Sequence, residues 1–128
     1  MRTNCLFAAI LLMSAAAGSE AVAGTDTRLT GHWSRTDGES RISITPCGER
    51  LCAVNTWVKD PSKGERIGDR LVMNVQPREP AVLAGEALDV RRGLTYSLLI
   101  SLGRDAMTTK GCLVAGLLCR TMNWVRVR

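Results

Sequence analysis

Four cysteines fall in two short clusters, Cys47 and Cys52 in "CGERLC" and Cys112 and Cys119 in "CLVAGLLC". Three kinds of chemistry are open to such a set. Four thiolates can hold zinc, but four and six intervening residues are wider spacings than the usual zinc-ribbon knuckle. A redox-active dithiol favours Cys-x-x-Cys, which is absent. Two disulfides remain, the expected use of the four cysteines left in a small exported chain once Cys5, in the N-terminal apolar run, is removed with the leader. Spacing alone leaves three connectivities open.

The other candidates for chemistry are sparse. His32 is the only histidine, so no multi-histidine metal site can form, and a Ser/His/Asp arrangement would need it as base. In "GHWSR" it alternates with Trp33 and reads as a structural or exposed side chain. Asp60, Asp69 and Asp89 lie in or beside turn sequences, where a carboxylate satisfies backbone N–H groups. Nothing in the sequence brings two of them together as a hydrolytic pair. There is no glycine-rich phosphate loop, nucleophile elbow or nucleotide fingerprint. No catalytic residue, metal or cofactor is expected, and binding is the function class that remains.

Compartment follows from the first residues. Arg2 precedes a 13-residue apolar run, Cys5 to Ala17, and Ala21-Val22-Ala23 supplies the small-residue pattern read by signal peptidase. The run is shorter than the roughly 20 residues of a spanning helix, and Cys5 precedes it, whereas a lipoprotein cysteine would follow. Residues 1–23 are therefore expected to be a signal peptide, and residues 24–128 a periplasmic or secreted product without stable membrane insertion. Its 105 residues suffice for one domain with a modest core. The net charge of +5 contains no Lys/Arg block of five, and export removes nucleic acid as a partner. Solubility is the simplest use of the excess charge.

The elements that must position these residues are strands. Short segments alternate apolar and polar side chains and are broken by Gly, Pro, Asp and Asn. Ile42 and Ile44 share one face of "SRISIT", and Asp37-Gly38 before it marks a tight hairpin. In "LTYSLLISL" the residues Leu94, Tyr96, Leu98, Ile100 and Leu102 fall on one side and must face a core. With "RLCAVNTWV", "RLVMNVQ", "AVLAGEALD", "AMTTKGC" and "CRTMNWVRV", the count is eight strands joined by short connections, with one long loop over 59–69. Each cysteine pair brackets a hairpin, which favours Cys47–Cys52 and Cys112–Cys119. The expected fold is an all-β, eight-stranded antiparallel up-and-down barrel, since closure removes exposed edges. Its first and last strands are then neighbours, so Trp33 and Arg126 can meet at the closed base in a cation–π contact of about 0.5–2 kcal/mol.

Trp57, Trp124, Tyr96, Met73, Met107 and Met122 are the side chains best suited to line an apolar cavity, methionine being adaptable to varied ligands. An interior filled by these same side chains is equally compatible, because eight strands enclose little space.

The segments "GHW" (31–33), "DG" (37–38), "RISITPCGERLC" (41–52), "TWVKDP" (56–61), "GLTY" (93–96) and "GCLVAGLLCRTMNWVR" (111–126) resemble the DUF2147 family of exported bacterial proteins, which has no assigned activity. That family is similar to lipocalins, and the resemblance implies that Gly31, Trp33 and Arg126 close the barrel. The chain departs from the family at Ala53, at "LDVRRG" (88–93) and in a shorter segment over 70–87. The expectation is a non-enzymatic barrel that binds a small apolar or amphipathic ligand. The rival is a periplasmic protein-binding barrel, such as an inhibitor of a protease or a cell-wall enzyme, with a filled core.

Overall fold

Alternation in the sequence becomes eight strands in the computed structural model, which describes residues 26–113 and 116–128. They are β1 (Gly31–Arg35), β2 (Ser40–Cys47), β3 (Arg50–Val58), β4 (Arg70–Glu79), β5 (Val82–Asp89), β6 (Leu94–Gly103), β7 (Ala106–Leu113) and β8 (Leu118–Val127). Each pairs antiparallel with the next, and β8 returns to pair with β1, so the sheet closes into an up-and-down barrel. The expected signal peptide over 1–23, with Cys5, lies outside the described residues. Among the described residues no helix is long and apolar enough to cross a membrane. Outward strand positions such as Thr45, Glu86, Ser97, Lys110 and Asn123 are polar and exposed.

Local chemistry sets the turns. At the β1–β2 hairpin Gly38 takes φ +75°, which suits a residue without Cβ, and Asp37 accepts a hydrogen bond from the Glu39 N–H at 3.0 Å. Both cysteine pairs are disulfides, Cys47–Cys52 across the β2–β3 hairpin and Cys112–Cys119 between directly opposed residues of β7 and β8. Chain-entropy reasoning gives each small loop about 2 kcal/mol of stabilisation.

The seam is built from the two ends of the chain. Trp33 and Arg126 are partners in the β1–β8 register, and the guanidinium lies 4.3 Å from the indole centroid. Arg126 also donates to the carbonyls of Thr30 and Arg28 at 2.8 and 2.7 Å, while the Trp33 indole N–H donates to the Leu29 carbonyl at 2.9 Å. Gly31 is required here twice over. Its φ is +134°, and a Cβ at this position would lie 2.5 Å from Nη1 of Arg126. The Gly-x-Trp spacing thus clears the space through which the last strand's arginine reaches the first strand's tryptophan.

Strand direction divides the barrel into two halves. The base carries residues 26–30 and the β2–β3, β4–β5 and β6–β7 turns; the other end carries the β1–β2 and β5–β6 turns and the long segment 59–69. Leu29, Trp33, Leu51, Val75 and Leu83, all almost fully buried, fill the base. Burying each such side chain contributes about 1.5–3 kcal/mol. Above them, Ile42, Ile44, Ala53, Met73, Ala87, Ile100, Met107 and Trp124 continue the core but leave space between them.

Candidate functional site

The upper half of the barrel encloses a cavity of about 290 Å³ that opens between the loops. Its floor and walls are apolar, with Ile44, Met73, Ile100, Met107 and Trp124 lowest and Leu71, Tyr96, Leu98 and Met122 above. These positions follow from alternation. Tyr96, Leu98 and Ile100 on β6 and Met122 and Trp124 on β8 share the inward parity of their strands, while Ser97, Ser101, Thr121 and Asn123 between and beside them face outward. The Trp124 indole N–H is satisfied within the barrel by the Thr109 hydroxyl at 3.0 Å. Leu94, two residues before Tyr96 at the start of β6, lies at the rim and is 38% exposed, because the strand has not yet entered the core there.

Of the six residues with cavity-lining chemistry, Met73, Tyr96, Met107, Met122 and Trp124 come together here, and Trp57 does not. Trp57 lies on the outer surface, 43% exposed, with the Arg41 guanidinium 5.7 Å from its ring. A bulge is the cause. Trp57 pairs with Arg41 and Asn55 with Ile42, so Thr56 is an extra residue on β3. One inserted residue reverses the facing of those that follow, which turns Trp57 outward and Val58 into the core.

The mouth is charged. Arg35, buried at the top of β1, is ion-paired to Asp37 and to Glu65 (3.3 Å). Segment 59–69 holds a short 3₁₀ turn, Pro61–Lys63, that Asp60 caps by accepting from the Ser62 N–H. Two arginines of the β5–β6 turn fasten this segment. Arg91 grips Asp69 through Nε and Nη2 at 2.6 and 2.8 Å and also donates to the Gly64 carbonyl. Arg92 pairs with Asp89 at 2.7 Å and reaches the same carbonyl. Hydrogen bonding to Arg91, aided by the Arg66 N–H, holds the Asp69 carboxyl below its ordinary pKa against the opposing effect of burial. Asp37 is lowered too, first by the Glu39 N–H, then by Arg35, with the field of Arg120 adding. A second, polar space of about 270 Å³ beside the mouth shares Lys63, Glu65 and Arg120 with the cavity.

The residues that chemistry alone singled out are placed apart. His32 is exposed on the outer face of β1, on the strand side opposite Trp33. Asp60, Asp69 and Asp89 serve the loops: one caps the 3₁₀ turn and the other two bind arginine. Among the described residues no group of three His, Cys, Asp or Glu side chains could hold a metal ion.

This plugged base, closed by Gly31, Trp33 and Arg126, falls within a known sequence pattern. A family model described as "Uncharacterized protein conserved in bacteria (DUF2147)" matches residues 31–126, which run from the seam glycine to the seam arginine. The chain belongs to the DUF2147 family. No curated protein and no solved structure matches it. The eight-stranded closed barrel is consistent with a lipocalin-like architecture for this DUF2147 protein, with the cavity at the loop end and the seam at the other.

Sequence reasoning missed the charged mouth. Arg120 carried a readable signal, since it has the parity of Met122 and Trp124 on β8 and therefore faces inward. Arg35 likewise has the parity of Trp33. The clamp of Arg91 and Arg92 on residues 64 and 69 spans more than twenty residues and left no local pattern.

Proposed function

We propose that this protein is an exported, non-enzymatic carrier that takes a small apolar or amphipathic molecule into the upper half of its barrel. The observation that carries the reading is the apolar space of about 290 Å³ above a filled base, near the lower end of the size range of small-molecule pockets. A filled core would instead have favoured a protein-binding barrel. Support for a non-catalytic role comes from the carboxylates of the mouth, which are engaged by arginines, and from the position of His32 on the far side of the wall. Export is supported by the leader-like residues 1–23 and by two disulfides, which persist in oxidising compartments.

Native mass spectrometry of the protein purified gently from the periplasm tests both parts, followed by the same sample denatured. The expected result is a chain beginning at Gly24, four hydrogens lighter than its reduced form, with a bound mass that is lost on denaturation. A bare chain in every preparation overturns the carrier reading and favours a protein partner. A chain that retains residues 1–23 overturns export.

A further inference from the structure

Of the cations that line the cavity, Lys63 and Arg92 are ion-paired, whereas Arg70 and Arg120 have no carboxylate partner among the described residues, and of these two only Arg120 also faces the polar space beside the mouth. Glu65, Asp69 and Asp89, the carboxylates lining the cavity, are bound by Arg35, Arg91 and Arg92 respectively. Of the other carboxylates near Arg120, Asp37 is taken by Arg35 and the Glu39 N–H, Glu39 by Lys63, and Asp60 by the N–H and hydroxyl of Ser62. Arg120 lines the cavity and the polar space beside it, and no carboxylate among the described residues pairs with it. An unpaired guanidinium at the rim of an apolar cavity is a fixed positive charge with open donor positions.

Its surroundings leave room for a partner. Directly across the β7–β8 ladder from Arg120 is Gly111, which has no side chain and lines the same cavity. The next side chain along that wall is Tyr96, whose ring atoms are 3.7 Å and more from where a Gly111 Cβ would stand. The Tyr96 phenol, half-buried in the cavity wall, forms no hydrogen bond within the described residues. Arg120 and Tyr96 therefore line one cavity on either side of Gly111, each with donors unused among the described residues, and Ile100, Met107 and Trp124 form its apolar floor.

We infer that the ligand is an anionic single-chain amphiphile whose head group is bound between Arg120 and Tyr96 while its chain descends into the apolar cavity. The inference rests on the carrier reading and specifies the ligand class. At about 30 Å³ per water-sized unit, the cavity holds on the order of ten non-hydrogen atoms. A carboxylate and a phosphate head present the same acceptor chemistry to a guanidinium, and decyl phosphate beside decanoate distinguishes them.

The test is calorimetric titration of the disulfide-intact protein with decanoate, decyl phosphate and the uncharged 1-decanol, repeated with Arg120→Gln and Tyr96→Phe. A charge-assisted hydrogen bond predicts that the parent binds an anion about ten-fold or more tightly than decanol. Arg120→Gln should erase this preference while leaving decanol binding unchanged, Tyr96→Phe should reduce it by a smaller factor, and salt should weaken it. Arg120 is exposed at the strand end, so its loss leaves the core intact. Equal binding of anion and alcohol by the parent, or a preference that survives Arg120→Gln, overturns this inference and leaves the carrier reading standing. Failure of all three ligands to bind the folded parent overturns both.

Discussion

Replacing Gly31 by Ala should loosen the barrel from the seam outward, and the magnitude can be worked from two contacts. The residue has φ +134°, where any side chain costs about 1–3 kcal/mol of backbone strain. The added Cβ would also stand 2.5 Å from Nη1 of Arg126, the nitrogen that donates to the Thr30 carbonyl. Displacing the guanidinium forfeits that bond, worth about 1.5–3 kcal/mol for a charged donor, and disturbs its stacking on Trp33. Taking the low end of each contribution gives roughly 2.5 kcal/mol, and a domain of this size loses about 4–8 °C per kcal/mol, so the melting temperature should fall by roughly 10–20 °C. The assay is thermal and urea unfolding of the oxidised protein, with Arg126→Ala and the double variant completing a cycle. Arg126→Ala removes the clash but not the strained φ, so Gly31→Ala should cost about 1.5 kcal/mol less in that background, leaving about 1 kcal/mol. A Gly31→Ala protein that melts within about 2 °C of its parent would refute the role given to the glycine, and strict additivity in the cycle would refute its coupling to Arg126.

The two exposed-versus-enclosed tryptophans should separate cleanly: Trp57→Ala should cost under about 1 kcal/mol in urea unfolding, whereas Trp124→Ala, which empties buried volume, should cost about 3–5 kcal/mol. Equal costs would contradict the bulge at Thr56. Replacing Cys112 and Cys119 together by Ser should lower stability by about 2 kcal/mol without unfolding the barrel at room temperature, as read from the urea midpoint. For pH, a carboxyl whose folded pKa lies below its unfolded value stabilises above the ordinary carboxylate range and loses that contribution as pH falls through the folded value. With Asp69 lowered chiefly by Arg91, the unfolding midpoint should hold steady from neutrality to about pH 5 and drop below about pH 4, and Asp69→Asn should flatten part of that drop. Parallel acid limbs for parent and variant would remove Asp69 from the account.

How much of this was legible before folding depended on whether the signal was local. Alternation in "RISIT", "LTYSLLISL" and "CRTMNWVRV" fixed strand boundaries, facing and most of the cavity wall, because side-chain parity within a strand needs no knowledge of the rest of the chain. The Trp33–Arg126 contact was legible because closure of an up-and-down barrel makes the first and last strands neighbours. Trp57 was misplaced since a bulge depends on the twist that β3 must accommodate against β2, which no residue type at Thr56 announces. Whether the interior was open or filled depended on how far the base residues reach, a matter of summed volumes rather than pattern. The mouth stayed invisible because Glu65, Asp69, Arg91 and Arg92 meet only when segment 59–69 folds against the β5–β6 turn.

The central claim is that the upper half of the barrel is open to a small apolar molecule while the base is closed. Methyl NMR of the Ile, Leu, Val and Met side chains during titration with 1-decanol tests it most directly. The account predicts saturable shifts at Ile44, Met73, Ile100 and Met107, with little change at Leu51, Val75 and Leu83 in the base. Unmoved interior methyls, or shifts confined to exposed residues such as Leu117 and Val125, would contradict it.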